Sequence, residues 1–444
     1  MFSSCPSRTV GGSRTGAGTA GATPEEDTMS DDELRVVLYS HDSQGLGHTR
    51  RNLALARSLA QHLPALTGRP VTGMLLTGID AATSYGRPDG FDWVVLPGIR
   101  KGDRGYTPRN LSVDMAHLTA LRSGMVDAAL TGFRPHLVVV DRHAWGVDRE
   151  LLAPLRRLRA QSPATVVVLG LREVLDEPAA AAREWAALGD LDAVRDVYDQ
   201  IWVYGDRAVH DPVASGEIPA ALADLVRHTG YLATGRAAGP RTSGVDRPYV
   251  LTMAGGGCDG HRLTLAAACA PVPHGDRHVV ITGPQMPAEQ AEQVRAAARP
   301  GTLVLPSVPD ALAEVVEASA VVSMGGYNSV AEILTTNTPA LLVPRDRPRQ
   351  EQLIRARALQ AHGAVDVLGA DDLTGAALSG WLHRVVGTVR LRRHLALDGL
   401  HAVPVLAARL LPAGPPPAPA GAARPGGAGP EARGAGGRVR EWDP

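Results

Sequence analysis

The chain has 444 residues, a hydrophobic content of 44% and a formal net charge of −1 at pH 7. This length favours two domains of about 150–200 residues each, and the lack of a basic excess argues against nucleic acid as a partner. The three cysteines, Cys5, Cys258 and Cys269, have neither the even number of a disulfide framework nor the spacing of a zinc site, which favours a reducing cytoplasm.

Both ends of the chain differ in composition from the rest. Residues 1–32 are polar and rich in Gly, Ser and Thr, with Met29 as a second candidate start, and residues 412–444 are rich in Pro, Gly and Ala. We expect both segments to be disordered. No window has the roughly 18 apolar residues of a membrane span, and the N-terminus lacks the apolar core of a secretory signal. The sequence therefore predicts a cytoplasmic protein without a transmembrane segment.

Residues 33–232 alternate between apolar strands and amphipathic helices. The first strand is predicted at 34–40 and the first helix at 49–62, whose apolar face carries Leu53, Ala56 and Leu59. Further strands are predicted at 71–76, 91–96, 136–141, 165–170 and 200–204, and further helices at 111–131 and 147–160. This alternation predicts an α/β domain built on a doubly wound parallel sheet.

A glycine-rich turn joins the first predicted strand to the first predicted helix. It contains Gly45 and Gly47 and ends at His48, and such a turn at the carboxyl end of a strand can form a ligand-binding loop. A tight turn without a ligand is the alternative, because the third glycine of the dinucleotide fingerprint is absent. The helix dipole at His48 favours a neutral imidazole that accepts protons. A packing or capping role for His48 is equally compatible with the sequence.

Polar residues follow other predicted strands of this domain. His143 comes after the strand at 136–141 and is a candidate residue of the ligand cleft. For Arg172 and Glu173, which follow the next strand, we expect an internal ion pair that holds the loop. The connection at 98–110 is polar, glycine-rich and cationic, and it is either a mobile acceptor-side loop or a solvated connection.

A change of composition at 233–247, which is rich in Gly, Arg and small residues, predicts an interdomain linker. A second domain, at 248–411, repeats the alternation of strands and helices. Its first strand, at 249–253, runs into Gly255 and Gly256, which allow close backbone approach to an oxygen-rich ligand. Later strands are predicted at 278–282, 302–305, 320–323 and 339–344, and helices at 259–270, 287–298, 310–318, 352–362, 373–386 and 391–411.

The stretch from 323 to 352 carries the most specific chemistry. Gly325 and Gly326 form a turn after a buried type of strand, and Asn328 and Ser329 begin a helix. A helix N-terminus with uncovered N–H groups is a ready anion site. Glu332, one turn later, would repel a phosphate but suits a ribose diol. Together these residues indicate a nucleotide ligand with a diphosphate.

This order, Gly-Tyr-Asn-Ser-x-x-Glu followed by an apolar strand ending in Pro and by Glu351-Gln352, resembles the donor-binding signature of nucleotide-sugar glycosyltransferases. These have the two-domain GT-B architecture, in which two Rossmann-like domains face each other across a cleft. The resemblance is to family 28, which includes the lipid-II-forming N-acetylglucosaminyltransferases of bacteria. The turn that ends at His48 is similar to the N-terminal loop of the same families, so the resemblance extends over residues 34–411.

The resemblance implies a role for each residue that matches the signature. His48 would face the acceptor as the general base, with Gly45 and Gly47 on the acceptor side of the cleft, where the position of His143 after its strand also places that residue. The donor diphosphate would contact Gly326, Asn328 and Ser329, near the turns at Gly255, Gly256 and Gly325; Glu332 would bind the ribose, and Glu351 and Gln352 the sugar hydroxyls. One position departs from the pattern: plant-type members place a His before the glycine pair, where this chain has Met324, so the backbone must supply that phosphate contact.

The leading hypothesis is a glycosyltransferase that moves a hexose-type sugar from a UDP-sugar or dTDP-sugar to an acceptor hydroxyl. No metal or other cofactor is expected, because helix N-termini can stabilise the departing diphosphate. The Asp190-Leu-Asp192 pattern follows an Ala-rich helical run, which indicates a solvated helix start rather than a metal site. The alternatives are a nucleotide-sugar 2-epimerase or hydrolase on the same fold, or a non-catalytic nucleotide-sugar-binding protein.

Overall fold

The computed structural model describes residues 32–41, 46–102, 105–236, 238–245, 248–345 and 347–412. Two parallel sheets, each flanked by helices, organise this part of the chain. The predictions for residues 1–31 and 413–444, and for Gly45, lie outside the described residues, as do three positions of the predicted linker.

The strands of the first half of the chain are β1 (Leu34–Tyr39), β2 (Val71–Thr77), β3 (Phe91–Val95), β4 (Ile99–Gly102), β5 (Gly105–Pro108), β6 (Leu137–Asp141), β7 (Val166–Arg172), β8 (Gln200–Tyr204) and β9 (Val226–His228). Seven of them form a parallel sheet in the order β3-β2-β1-β6-β7-β8-β9, while β4 and β5 pair as a separate antiparallel hairpin. The central strands, such as β6 with the sequence LVVVD, are buried along their whole length. Continuous apolar runs are what a parallel sheet covered on both faces requires.

The helices of this half are α1 (Gly47–Thr67), α2 (Met115–Phe133), α3 (Leu152–Gln161), α4 (Pro178–Leu188) and α5 (Leu191–Val197). Short 3-10 turns occur at Asp80–Ser84, Val147–Arg149 and Ala220–Leu225. As the sequence predicts, Asp190 starts a helix: its exposed carboxylate accepts a hydrogen bond from the Asp192 N–H at the N-terminus of α5.

The second sheet contains β10 (Tyr249–Met253), β11 (Arg277–Ile281), β12 (Leu303–Leu305), β13 (Ala320–Ser323), β14 (Ala340–Leu342) and β15 (Asp366–Val367), all parallel, in the order β12-β11-β10-β13-β14-β15. Its helices are α6 (His261–Cys269), α7 (Ala288–Ala297), α8 (Ala311–Glu317), α9 (Tyr327–Leu334), α10 (Glu351–Ala361), α11 (Gly375–Val385) and α12 (Gly399–Leu410). The two parallel sheets agree with the predicted fold class.

Three segments differ from the sequence predictions. The connection at 98–110 contains the β4–β5 hairpin rather than an irregular loop. The helix predicted from 147 starts only at Leu152, because Asp148 and Arg149 adopt positive φ angles of 48° and 65° that interrupt the helix. The helix predicted from 391 starts at Gly399. Before it, the buried Arg392 guanidinium donates to the carbonyls of Thr336, Thr338 and Ala364, which holds the segment in an irregular path.

The last helix, α12, packs on α1, the helix that follows the first strand of the chain. Leu59 of α1 and Val403 of α12 are fully buried in one apolar cluster. The Ser58 hydroxyl donates a hydrogen bond to the Leu400 carbonyl. The C-terminal segment therefore covers part of the first sheet's helical layer.

The order of the strands places the carboxyl ends of four of them around one cleft. In the first sheet the chain reverses its direction of winding between β1 and β6, and in the second between β10 and β13. Ligands of open α/β sheets bind at such switch points. The turns that follow these four strands are those in which the sequence analysis places candidate site residues.

Candidate functional site

His48 and Asp141 form a hydrogen-bonded pair at the switch point of the first sheet. Asp141 ends β6, His48 lies in the first turn of α1, and the distance from His48 Nδ1 to Asp141 Oδ2 is 2.6 Å. Arg51, one turn further along α1, contacts the same carboxylate through Nη2 at 2.6 and 2.7 Å and through Nε at 3.1 Å. Asp141 is completely buried, and the side chain of His48 is 22% exposed.

The electrostatics of this pair determine the tautomer of His48. Burial opposes ionisation of Asp141, but the charge of Arg51 and the hydrogen bonds from His48 and Arg51 hold the pKa of Asp141 below its ordinary value. Because an ionised carboxylate only accepts hydrogen bonds, Nδ1 of His48 carries the proton, an assignment made from the hydrogen-bond network. Nε2 of a neutral His48 is then the nitrogen that accepts a proton, as in other His–carboxylate pairs.

Two further histidines surround this pair. The ring centroids of His41 and His143 are 4.2 Å apart, and those of His41 and His48 are 5.8 Å apart. Burial, followed by the charges of His48 and Arg142, lowers the pKa of His41 well below its ordinary value. Burial and the charges of Arg142 and His41 do the same for the pKa of His143. Both rings are therefore neutral at pH 7. Tyr106 of the β4–β5 hairpin lies 3.3 Å from His41, Oη to Nε2.

The predicted donor turns lie on the second sheet, facing this group. Gly255 and Gly256 are exposed after β10, and Gly325 is buried after β13 with a φ angle of 82°. Gly326 precedes α9 without a side-chain cap, so the first N–H groups of that helix lack a side-chain acceptor. Met324 is buried in the apolar cluster of this domain and does not substitute for the missing His.

Glu332 of α9 is only 2% exposed and contacts the first domain. Its Oε1 accepts a hydrogen bond from Arg50 Nη2 at 2.6 Å and lies 3.6 Å from Arg236 Nη1. Its Oε2 is shielded from solvent and has no hydrogen-bond partner among the described residues. A buried carboxylate oxygen without a partner is costly, so Oε2 is available to a ligand hydroxyl.

The neighbouring residues bring the donor turn close to His48. Asn328 Nδ2 donates to the carbonyl of Gly47, the residue before His48, at 2.8 Å, and Asn328 Oδ1 lies 3.4 Å from Arg236 Nη2. The half-buried Ser329 lies beside Asn328 in the first turn of α9. His48 thus lies in sequence between two residues, Gly47 and Arg50, that contact the predicted donor residues directly.

Glu351 and Gln352 begin α10 and both contact Arg345. Glu351 Oε1 accepts from Arg345 Nη2 at 2.7 Å, and Gln352 Oε1 accepts from the Arg345 N–H at 3.2 Å. Glu351 Oε2 is shielded from solvent and has no hydrogen-bond partner in the described part of the chain. It therefore resembles Glu332 in leaving one carboxylate oxygen for a ligand.

The ion pair expected between Arg172 and Glu173 does not form, because Glu173 has a different partner. The carboxylate of Glu173 pairs with Arg355 of α10, from Oε1 to Nε at 2.6 Å and from Oε2 to Nη2 at 3.1 Å. The two side chains are 1% and 0% exposed. Arg355 Nη1 also donates to the Gly325 carbonyl at 3.1 Å. Glu173 therefore holds a residue of the second domain rather than its own loop.

Four arginines of the site were not predicted from the sequence: Arg50, Arg51, Arg236 and Arg355. Arg50 and Arg51 stand directly after His48 and Thr49 in the first turn of α1, and two adjacent cations beside a proposed base are the signal that was available. Arg355 has no such signal, because its partner is 182 residues away in the chain.

A polar cavity of about 390 Å³ lies between α4 and the segment before α10. It is lined by Asp176, Glu177, Ala180, Arg183, Arg347, Pro348, Gln350 and Leu353. None of these residues belongs to the His48–Asp141 pair or to the turn at 325–332, where the two domains touch directly. The described residues contain no group of three or more His, Cys, Asp or Glu side chains arranged to hold a metal ion. Nor does any described helix combine the length and apolarity that a membrane crossing needs.

Residues 256–390 match the family model described as the glycosyltransferase family 28 C-terminal domain. This part of the chain is therefore similar to the C-terminal domain of that family. An enzyme of Corynebacterium efficiens, the UDP-N-acetylglucosamine–N-acetylmuramyl-(pentapeptide) pyrophosphoryl-undecaprenol N-acetylglucosamine transferase, is 33% identical over 90 residues, which are 20% of this chain and 25% of that enzyme. The chain matches a quarter or less of the length of such curated relatives.

Solved structures match over most of the chain and show that the fold of both domains together is GT-B. The glycotransferase of kitacinnamycin aligns with 86% of this chain and all of its own, with a TM-score of 0.53 and 18% identity. The spinosyn forosaminyltransferase SpnP aligns with 85% of this chain and 94% of its own, with a TM-score of 0.52 and 16% identity. The match to the family model falls within the second half of this GT-B fold.

Proposed function

We propose that this protein transfers a sugar from a nucleotide-diphosphate sugar to a hydroxyl of an acceptor. The observation that carries the proposal is the His48–Asp141 pair, separated by 2.6 Å, directly beside a domain similar to that of family 28. The backbone of Gly47 contacts Asn328 of that domain. A proton acceptor and a nucleotide-sugar donor turn at one cleft are the two parts that such a transfer needs.

In this proposal the donor binds the second domain. The N-terminus of α9 and the turn at 325–326 take the diphosphate, with Asn328, Ser329 and the turn at 255–256 beside it. Glu332 Oε2 accepts a hydrogen bond from a ribose hydroxyl while Arg50 holds Oε1. Glu351 Oε2 and the amide of Gln352 take hydroxyls of the sugar. The relatives act on UDP-N-acetylglucosamine, which favours UDP over dTDP and a hexose-type sugar.

The acceptor binds the first domain, against the neutral rings of His41 and His143. His48 Nε2 removes the acceptor hydroxyl proton, and the acceptor oxygen forms its bond to the anomeric carbon. The bond from that carbon to the diphosphate oxygen breaks, and its electron pair leaves with the diphosphate. Asp141 keeps Nδ1 of His48 protonated and stabilises the imidazolium that results. Fixed N–H dipoles at α9 stabilise the leaving group, so the mechanism requires no metal.

Ligand binding tests the donor half of the proposal. We expect UDP, dTDP or one of their sugars to raise the melting temperature, because a ligand of the folded state stabilises it. Glu332→Ala should weaken that shift for nucleosides with a free diol, and the exposed Glu292→Ala should not. No shift with any nucleotide diphosphate or nucleotide sugar would contradict the donor site.

Turnover tests the acceptor half. With a donor that binds, His48→Asn and Asp141→Asn should lower kcat by about 10²–10⁴-fold, which is the usual contribution of a general base to the rate. The affinity for the donor should not change. His117, exposed on α2, supplies the matched control His117→Asn. Near-full activity of His48→Asn would remove His48 as the base.

The same assay separates the alternative functions. A 2-epimerase or a hydrolase would convert the nucleotide sugar without any acceptor, to an epimer or to free sugar. A non-catalytic protein would bind the donor without turnover under every acceptor supplied. Transfer that depends on an acceptor hydroxyl is the result expected from the proposal.

A further inference from the structure

Arg172 lies at the edge of the cleft between the two domains. It is the last residue of β7, two residues after Gly170, which is paired in register with Asp141 of β6. Alternate residues of a strand share a face, so Arg172 continues the face that carries Asp141 and lies one step further toward the second domain.

Within the described part of the chain, the guanidinium of Arg172 has no hydrogen-bond or ion-pair partner, unlike its neighbours. Arg51 pairs with Asp141, Arg355 with Glu173, and Arg142 with Glu184 at 2.6 Å. Arg172 makes no ion pair with the described residues, and its Nε is shielded from solvent without a hydrogen bond. A guanidinium carries five N–H donors, and shielded donors are costly when they lack acceptors.

Arg172 is followed directly by Glu173, which contacts the second domain. Burial, and then the charge of Arg355, lowers the pKa of Arg172 to about 9, while Glu351 acts in the opposite direction. Arg172 therefore remains a cation at neutral pH. Glu173 pairs with Arg355, and Arg355 is bonded to the Gly325 carbonyl, so the carboxyl end of β7, with Arg172, lies close to the turn at 325–326.

We infer that Arg172 donates hydrogen bonds to the diphosphate of the donor, so that the two domains hold the leaving group together. This inference rests on the proposed function. When the bond from the anomeric carbon breaks, its electron pair moves onto a diphosphate oxygen, and the Arg172 cation offsets the charge that develops there. The bidentate geometry of a guanidinium suits phosphate oxygens. The first domain thereby contributes to the donor site as well as to acceptor activation.

Calorimetric titration with UMP and UDP, or with dTMP and dTDP, tests this role in the full-length protein. Arg172→Met should lower the affinity for the diphosphate by about 10–100-fold, which is the contribution of one or two charge-assisted hydrogen bonds. The affinity for the monophosphate should fall by much less. Arg172→Lys should restore part of the loss. Arg195→Met, at an exposed ion pair with Asp224, is the matched control, and equal melting temperatures of the variants show that folding is intact.

The outcomes separate this inference from the proposed function. Unchanged diphosphate affinity in Arg172→Met, with wild-type binding intact, overturns the role of Arg172 and leaves the transferase proposal standing. A loss that appears only with a donor whose sugar bears a carboxylate also overturns it, because Arg172 would then bind the sugar. A wild-type protein that binds no nucleotide diphosphate overturns both.

Discussion

Removing the guanidinium of Arg355 should destabilise the protein severely. Arg355 and Glu173 are fully buried, and two hydrogen bonds join them across the domains. In Arg355→Met the carboxylate of Glu173 would stay buried without its partner. Breaking a buried ion pair on one side costs about 3–5 kcal/mol. The Gly325 carbonyl would also lose its hydrogen bond from Arg355, which adds about 1 kcal/mol.

The double variant Glu173→Met/Arg355→Met separates charge from packing. It removes both charges and keeps apolar side chains of similar length, so we expect it to recover most of the lost stability. Urea unfolding followed by tryptophan fluorescence measures each variant, with two transitions fitted if the domains unfold separately. Arg195→Met is the control, because its exposed ion pair with Asp224 is worth at most about 1 kcal/mol.

Two results would refute this reasoning. If Arg355→Met unfolds within about 1 kcal/mol of the wild type, the pair is not desolvated and the contact between the domains is weak. If the double variant is as unstable as Arg355→Met, the loss comes from the packing of the Arg355 side chain and not from an unpaired Glu173.

Two further predictions concern the core. Burial lowers the pKa of His278 to about 4, so unfolding takes up a proton between pH 6.5 and 4. The free energy of unfolding of the wild type therefore falls by up to about 3 kcal/mol as the pH drops through that window, and it is unaffected above it. His278→Asn should flatten the accompanying fall in melting temperature. Parallel curves of melting temperature against pH for the two proteins would contradict the assignment. An added Cβ at Gly170 would lie 2.1 Å from Tyr204 Oη, so Gly170→Ala should cost about 1–3 kcal/mol. Gly132→Ala, in α2 with no atom within 4 Å of the new Cβ, should instead stabilise by up to about 1 kcal/mol, and equal effects at the two glycines would refute the clash.

The parallel strands were predictable because each is a short apolar run between turn residues. β8, β10 and β13 begin and end at the predicted residues. The β4–β5 hairpin was not predictable in the same way, because its glycines and cations read as an irregular loop. Its pairing, for instance Ile99 opposite Pro108, follows no apolar alternation.

The site was predictable residue by residue but not as an arrangement. His48 and the residues from Gly325 to Gln352 follow from local chemistry and family resemblance. The link between His48 and Asp141 does not, because 93 residues separate them and only the pairing of β1 with β6 brings their turns together. The partners of Glu332 and Glu173 depend on how the two sheets face each other, and no local pattern encodes that.

The packing of α12 on α1 means that the chain crosses from one sheet to the other twice, first after β9 and again before Gly399. Near the second crossing, the N–H groups of Tyr231 and Gly399 donate to the carbonyls of Ala396 and Tyr231, which fastens the two crossing segments together. Because both connections between the sheets lie at one point, the sheets can rotate about that point but cannot separate freely. A rotation about this point would return His48 to the same position against the donor turn. A protein cut after residue 232 would lack α12 and expose the apolar face of α1.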